Sequence, residues 1–249
     1  MTTTHKAGIA ATILVCLPAD ASTHGPDRLA HLLANRLAPV AATGRATPCP
    51  HHLPVPAPLP EPVQRLLYAA HLHRPGLQTA TAAPVGLLDH HGHRAAIAAA
   101  AAGIHAEWRH IVAGTGPARP WRHFLDTHLD YPDHHRLEQA WEAFCAQPRI
   151  AAMLAAERGG TAWFVADQYG PGLHAHQTGQ RRLTGYITDT IQLGDAVLDP
   201  HGRLVAATDP PRPRVEHTLT ERDTYHAAAR HLLARLDPDT IITAVHMDF

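Results

Sequence analysis

Residues 8–17 read GIAATILVCL, and residues 240–248 read TIITAVHMD. Both stretches are rich in apolar and β-branched residues, which favours strands over helices. The first stretch is apolar at successive positions, as in a central strand that is covered on each side, or in a strand with helices on one face and a partner on the other. We predict that the two strands lie near each other in one sheet.

The middle third of the sequence has the pattern of helices. Residues 94–113 are rich in alanine, the residue with the highest helix propensity, and predict a long helix. Shorter helices are predicted over residues 121–128, 134–146 and 149–157, and an amphipathic helix is predicted to begin near Pro26. The predicted fold class is therefore α+β, with a mixed or antiparallel sheet built from N-terminal and C-terminal strands, helices on one face, and a helical middle block.

The remaining segments predict shorter elements. A turn at residues 199–202 (DPHG) predicts a hairpin between strands at 195–198 and 203–207. The other expectations are a short helix over 61–72, short strands over 84–88 and 161–166, a Gly-rich polar loop over 168–182, two short strands within 183–198, and a late helix capped by Thr220 and Asp223.

We predict a single domain over residues 1–249, with a helical insertion over residues 93–158. Residues 47–62 (TPCPHHLPVPAPLPEP) contain seven prolines. Because proline fixes φ and biases the preceding residue towards extended geometry, we expect a stiff polyproline connection over residues 48–62. A ligand for a proline-binding module is the alternative interpretation of this segment.

Composition narrows the class of protein. The net charge is -1, so the chain lacks the basic field of a general nucleic-acid-binding protein, and no apolar run is long enough to cross a membrane. The three cysteines lack C-x-x-C spacing, which disfavours a disulfide framework and favours a cytoplasmic location. Residues 7–17 followed by Ala19, Asp20 and Ala21 also fit a secretory signal, although a buried strand fits the segment better.

Histidine is unusually frequent, at 23 residues, and its imidazole is a common ligand of zinc and similar metals. His246 and Asp248 are two apart on the predicted final strand and therefore share one face of it. A histidine and a carboxylate on one face favour a metal site or an acid–base couple. His174, His176 and Asp167 would complete such a site if their loop folded over the strand.

Asp89, His90 and His91 form the most specific short motif and follow a predicted strand. The motif resembles the Asp-His-His signature of the DHH phosphoesterases, whose metal site also follows a strand. That resemblance implies a divalent metal, such as zinc, bound by these three residues. Asp20 and Asp27 do not reproduce the further aspartates of that family.

Longer stretches resemble a loose group of uncharacterised actinobacterial and phage- or plasmid-associated proteins. The resemblance rests on TILVCLPAD at residues 12–20, followed by RLAHLLANRLAPV at residues 28–40, on residues 120–153, where Trp121 and Phe124 stand, and on the ending DPDTIITAVHMDF at residues 237–249. It covers about a third of the chain and implies an accessory or mobile-element context. It implies no activity.

Two functions from different classes follow from these patterns. The first is a soluble cytoplasmic protein that binds an unknown protein or small molecule and has no committed catalysis. The alternative is a metal-dependent hydrolase that uses His246 and Asp248, or Asp89, His90 and His91. The many histidines also suggest a partner surface whose association changes between about pH 5 and 7.

Overall fold

A computed structural model of the protein describes residues 10–19, 25–37, 46–48, 53–55, 71–74, 77–160, 167–209 and 212–248. The strands are β1 (Ala10–Leu17), β2 (Ala46–Pro48), β3 (Leu53–Val55), β4 (His71–Arg74), β5 (Leu77–Ala80), β6 (Ala82–Pro84), β7 (Ala196–Leu198), β8 (Leu204–Ala206) and β9 (Ile241–Asp248). The helices are α1 (Gly25–Leu37), α2 (His90–Ile111), α3 (Trp121–Asp130), α4 (Leu137–Cys145), α5 (Pro148–Arg158), α6 (Pro171–Thr178), α7 (Gln180–Leu193) and α8 (Leu219–Leu233).

The described residues form two compact units. The first, the sheet unit, contains the described residues up to Arg94, residues 189–207, and residues 225–248. The second, the helical unit, contains residues 95–188 and the described part of residues 208–224. The single-domain organisation stays a prediction.

The main sheet has the strand order β2-β9-β1-β7-β8, and β6 also pairs with β9. The first and last strands are antiparallel neighbours over their whole length, from Ala10 opposite Asp248 to Leu17 opposite Ile241. β1 pairs with β7 in parallel, so the sheet is mixed. The α+β class, the sheet built from both ends of the sequence and the helical middle block are therefore confirmed.

Side chains alternate between the two faces of a strand, and both faces of this sheet are buried. Leu14, Cys16 and Ile242 point to one core, where Tyr225 and Ala229 of α8 also lie. The intervening residues of β1 and β9 point to the opposite core, which includes two leucines of α1; they are Ile13, Val15, Leu17, Ile241, Val245, Met247, Leu33 and Leu37. The expectation that helices cover one face is corrected: α1 and α8 pack on opposite faces.

A second, three-stranded sheet in the sheet unit has the order β3-β5-β4. Its strand β3 lies within the proline-rich segment, so Leu53–Val55 is a buried antiparallel strand and not a polyproline helix. The residues of this segment outside β2 and β3 are not among those that the structure describes. The helix predicted over residues 61–72 also lies outside them, except for residues 71 and 72, which belong to β4.

The core of the helical unit is aromatic and aliphatic. Its buried members come from α2, α4, α5, α6 and the segment that follows α2; they are Trp108, Val112, Ala118, Phe144, Ile150, Met153 and Leu173. The predicted helices at 94–113, 121–128, 134–146 and 149–157 correspond to α2, α3, α4 and α5 and are confirmed.

Two predictions in the last third are wrong. The predicted polar loop at 168–182 contains α6, which starts with Pro171 at its first position and ends before Gly179, whose φ is +126°. The predicted strand before residue 194 is α7. In α7 the residues Leu183, Tyr186 and Ile187 are buried at helical spacing, so burial overrides the β propensity of tyrosine and isoleucine.

Among the shorter predicted elements, one is confirmed, two are corrected and one lies outside the described residues. The hairpin of β7 and β8 is confirmed. The strand predicted at 84–88 is a 3-10 turn over Val85–Leu87 that follows β6. The late helix is capped by Thr218 and Glu221, which exchange side-chain to backbone hydrogen bonds of 3.1 and 2.6 Å, and not by Thr220 and Asp223. The predicted strand at 161–166 lies outside the described residues.

Cys16 is buried in the sheet, and burial, followed by the nearby Asp199 carboxylate, raises the pKa of its thiol to about 12. No helix in the described part of the chain combines the length and apolar character needed to cross a bilayer.

Candidate functional site

Asp89 of the predicted phosphoesterase-like motif is the N-cap of α2. Its Oδ1 accepts a hydrogen bond of 2.8 Å from the backbone N–H of Gly92, the third residue of the helix. A Cβ atom at Gly92 would crowd the Asp89 carboxylate, so a larger residue there would require the Asp89 side chain to shift. Capping of this kind satisfies one of the free N–H groups at a helix start and gives the Asp89 side chain a structural role.

The histidines beside Asp89 do not converge with it on one point. His91 is exposed, whereas His90 and His93 are partly buried on the first turn of α2. Burial lowers the pKa of both partly buried rings, and the positive charge of Arg94 lowers that of His90 further. The metal role of Asp89, His90 and His91 therefore gains no support from their placement and stays a prediction.

His246 lies on β9, opposite Thr12 of β1, with its ring exposed. Its Nδ1 is 3.2 Å from the Thr12 hydroxyl oxygen, within hydrogen-bond distance. The side chain of Asp248 is not among those that the structure describes. Within the described residues, no group of three or more histidine, cysteine, aspartate or glutamate side chains is arranged to hold a metal ion.

His174 and His176 lie on helix α6 and not on a loop. Residues two apart on a helix are about 200° apart around its axis, so the two rings point to different sides. His174 is exposed and His176 is buried. Their placement on opposite sides of α6 gives no support to a shared metal site, and the metal role of His174 and His176 stays a prediction.

The ring of His176 belongs to a cluster of three aromatic rings in the helical unit. Its centroid is 4.9 Å from that of Trp108 and 6.1 Å from that of His105, and all three rings are within 25° of parallel. Burial lowers the pKa of His176 to about 3, and the neighbouring His105 contributes to the shift. Burial and then Arg109 also lower the pKa of His105. The cluster therefore holds both imidazoles in the neutral form.

Arg149 of α5 closes this cluster on one side. Its Cζ lies 5.2 Å from the Trp108 ring centroid, which is the geometry of a cation–π contact. The guanidinium donates hydrogen bonds to the backbone and side-chain oxygens of Thr115 and, at 2.8 Å, to Gln177 Oε1. A permanent cation beside buried rings opposes any further positive charge there.

Acidification is expected to destabilise the protein through His176. The folded ring stays neutral down to about pH 3, whereas the ring of the unfolded chain takes up a proton near pH 6.5. The protonation of His176 in the unfolded chain leaves the free energy of unfolding unchanged above about pH 7.5. It lowers the free energy of unfolding progressively as the pH falls from 6.5 towards 3. Between pH 7 and pH 5 the loss is about 2 kcal/mol, measured by urea unfolding at both pH values.

The variant His176→Phe keeps an aromatic ring and removes the titration. It should lose much less stability than the wild type between pH 7 and pH 5. The matched control is His174→Phe, which changes the exposed ring two residues earlier on the same helix and should keep the wild-type loss. An equal loss in wild type and His176→Phe would contradict the prediction.

A second buried polar cluster in the helical unit includes Asp167, and the sequence did not indicate the other members of this cluster. The hydroxyl of Tyr186 donates a hydrogen bond to Asp167 Oδ2, and both side chains are buried. Burial raises the pKa of Tyr186, the Asp167 charge raises it further, and the charge of the completely buried Arg222 opposes this. The buried Tyr186 hydroxyl is therefore under the influence of charges of both signs. The sequence gives no signal for the cluster because its members come from segments far apart in the chain.

The exposed apolar surface is concentrated in one short segment. Among the residues that the structure describes, four large apolar side chains are exposed: Leu129 (60%), Tyr131 (59%), Leu137 (46%) and Trp141 (46%). All four lie on the end of α3, on the turn that follows it, or on α4. We call this surface the α3–α4 face, and it is the candidate functional site.

The α3–α4 face is held rigidly. Trp141 packs edge-on against Trp121 at 5.3 Å between ring centroids, and against the buried Phe144 at 5.4 Å. In the connecting turn, the N–H groups of His134 and His135 both donate to the backbone oxygen of Tyr131. A surface with fixed aromatic side chains loses little conformational entropy when a partner covers it.

On α4, four apolar residues follow the i, i+3, i+4, i+7 spacing of a single apolar face: Leu137, Ala140, Trp141 and Phe144. Ala140 and Phe144 are buried, whereas Leu137 and Trp141 at one margin of this face are exposed. The spacing alone therefore does not distinguish the residues that the core covers from those that stay exposed. The sequence interpretation used these residues only to predict a helix.

The search for similar proteins adds no family to this description. Comparison with protein-family models, with curated proteins and with solved structures finds no match to the chain. The resemblance to actinobacterial and phage- or plasmid-associated proteins stays a prediction.

Proposed function

We propose that this protein works by binding another protein, and that the α3–α4 face is where the partner docks. The observation that carries the proposal is the confinement of the exposed large apolar side chains, among the described residues, to positions 129–141. Exposed large apolar side chains that are grouped in one segment cost solubility, and such grouping is typical of interaction sites. The accessory or mobile-element context implied by the sequence resemblance belongs to the same proposal.

The residue types on the face favour a protein interface. Tryptophan and tyrosine are the residues that most often dominate binding energy at such interfaces. Trp141 and Tyr131 combine a large apolar area with a polar group that reaches solvent. Leu129 and Leu137 extend this area along the two helices.

A second copy of the chain fits the face less well than a different protein does. The exposed carboxylates of Asp130, Asp133, Glu138 and Glu142 surround the apolar side chains. Two copies docked face to face would bring these like charges together, and like charges across an interface disfavour association. The proposal is therefore a hetero-association.

Selection from a displayed library of random 20-residue peptides tests this function without a known partner. We expect selected peptides to bind the wild type and to bind Leu137→Ser at least tenfold more weakly, because the variant removes apolar area from the face. Leu137 is half exposed, so its replacement leaves the core intact. Titration calorimetry measures both affinities.

The matched control is Ala99→Ser, which adds a hydroxyl at an exposed position of α2. Peptides should bind this variant as they bind the wild type. Selected peptides that bind Leu137→Ser as tightly as wild type would contradict the proposed function, as would sedimentation velocity showing a stable dimer that Leu137→Ser dissociates.

A further inference from the structure

The charges around the α3–α4 face are strongly one-sided. Four exposed carboxylates, those of Asp130, Asp133, Glu138 and Glu142, stand in this segment, and Arg136 is its one exposed arginine. Lysine is absent from the segment. The apolar side chains are therefore bordered by negative charge.

The carboxylates on α4 lie beside the apolar row. Glu138 and Glu142 each follow one of the apolar residues, Leu137 and Trp141, and are four residues apart, so they form a second row parallel to the first. Asp126 of α3 is a different case, because Arg122 donates to it at 2.5 Å and neutralises it. The described residues around the face show no comparable partner for the two glutamates.

We propose that the segment docked on the α3–α4 face is a cationic amphipathic helix. This inference rests on the proposed function and names the chemistry of the partner. The apolar side of the helix covers Leu137 and Trp141, and its lysine or arginine side chains face Glu138 and Glu142. Electrostatic complementarity of this kind selects the partner and speeds association.

A helix suits this face better than an extended segment does. The face is formed by two helices and a turn, and it offers no sheet edge with free backbone N–H and C=O groups. An extended peptide would leave its own backbone groups without partners on an apolar surface, whereas a helix satisfies them internally. Anionic lipid surfaces and nucleic acids are disfavoured by the same carboxylates.

Two 18-residue helical peptides with the same leucine pattern test the inference. One carries lysine at all other positions, and its twin carries glutamate there. We expect fluorescence anisotropy to show the lysine peptide binding at least twentyfold more tightly than the glutamate peptide at low salt. We also expect Glu138→Gln/Glu142→Gln to weaken the lysine peptide threefold to tenfold.

A matched double variant controls for total charge. Glu107→Gln/Asp209→Asn removes two exposed carboxylates of the helical unit that lie outside the face, and it should leave the affinity nearly unchanged. Equal weakening by both double variants would overturn the inference, because attraction would then follow net charge and not this surface.

The remaining outcomes separate the two proposals. Equal binding of the two peptides, lost in Leu137→Ser, would overturn the charge inference and leave the proposed function standing. Tight binding of the lysine peptide that Leu137→Ser does not weaken would overturn both proposals. Binding of neither peptide would overturn the cationic-helix inference, and the library selection would still decide the proposed function.

Discussion

Replacing Arg222 by methionine is expected to lower the free energy of unfolding by about 3–5 kcal/mol. Arg222 is among the largest completely buried side chains in the described residues. Its positive charge lowers the pKa of Tyr186, whereas the negative charge of the buried Asp167 raises it. Without the guanidinium, the interior around Tyr186 and Asp167 loses one of the two arginine charges, those of Arg222 and Arg214, that act on Tyr186. Urea unfolding followed by tryptophan fluorescence measures the effect.

Two further variants make this prediction specific. Arg181→Met removes an exposed arginine of α7 and should change stability little, since exposed charges contribute little. Asp167→Asn combined with Arg222→Met should be more stable than Arg222→Met alone, because the Asp167→Asn substitution removes a buried charge of the opposite sign. A double variant that is simply the sum of two losses would contradict the coupling of the two charges.

Replacing Gly194 by alanine is expected to cost about 2–4 kcal/mol. Gly194 ends α7 with a φ of +65°, a conformation that residues with a side chain rarely adopt. A Cβ atom there would lie 2.6 Å from the backbone oxygen of Thr12 in β1. The same oxygen accepts a hydrogen bond of 2.7 Å from Asp195 N–H, so the backbone cannot move away without breaking it.

Gly202→Ala separates the clash from the conformational cost. Gly202 also has a positive φ, of +85°, but the nearest atom to an added Cβ is 4.0 Å away, on Arg36. We expect this variant to lose about 1–2 kcal/mol, the conformational cost alone. Equal losses at the two positions in thermal or urea unfolding would show that the close approach to Thr12 does not matter.

The elements that were predictable are those in which local pattern and tertiary packing agree. The apolar run that became β1 and the apolar, β-branched residues of β9 favour strands, because a surface helix would expose many of those side chains. The alanine-rich α2 is favoured by propensity alone. The sequence also predicted that β1 and β9 lie near each other in one sheet, and the structure pairs them directly.

The mistakes arose where propensity and packing disagree. α7 contains β-branched and aromatic residues, yet its burial follows a helical period, which a propensity argument does not detect. The glycines and polar residues of 168–182 suggested a loop, although Pro171 there occupies the favourable first position of α6. His174 and His176 were expected to act together from that loop, whereas two residues apart on α6 they point to opposite sides.

The candidate site was less predictable than the fold. Motif searching led to histidines and aspartates, and the structure uses Asp89 as a helix cap and His176 as a buried ring. The α3–α4 face has no motif, because it is defined by exposure of Leu129, Tyr131 and Trp141. Exposure depends on which side of each helix the core takes, and a sequence does not state this directly.

The neighbouring positions of β1 and β9 have a consequence for synthesis. Thr12 and His246 touch although they are 234 residues apart in the chain. The strand β1, in the middle of the sheet, leaves the ribosome well before β9 and finds this antiparallel partner only after the residues between them have been translated. Such a high contact order slows folding and leaves an apolar nascent segment open to aggregation or to chaperones in the meantime.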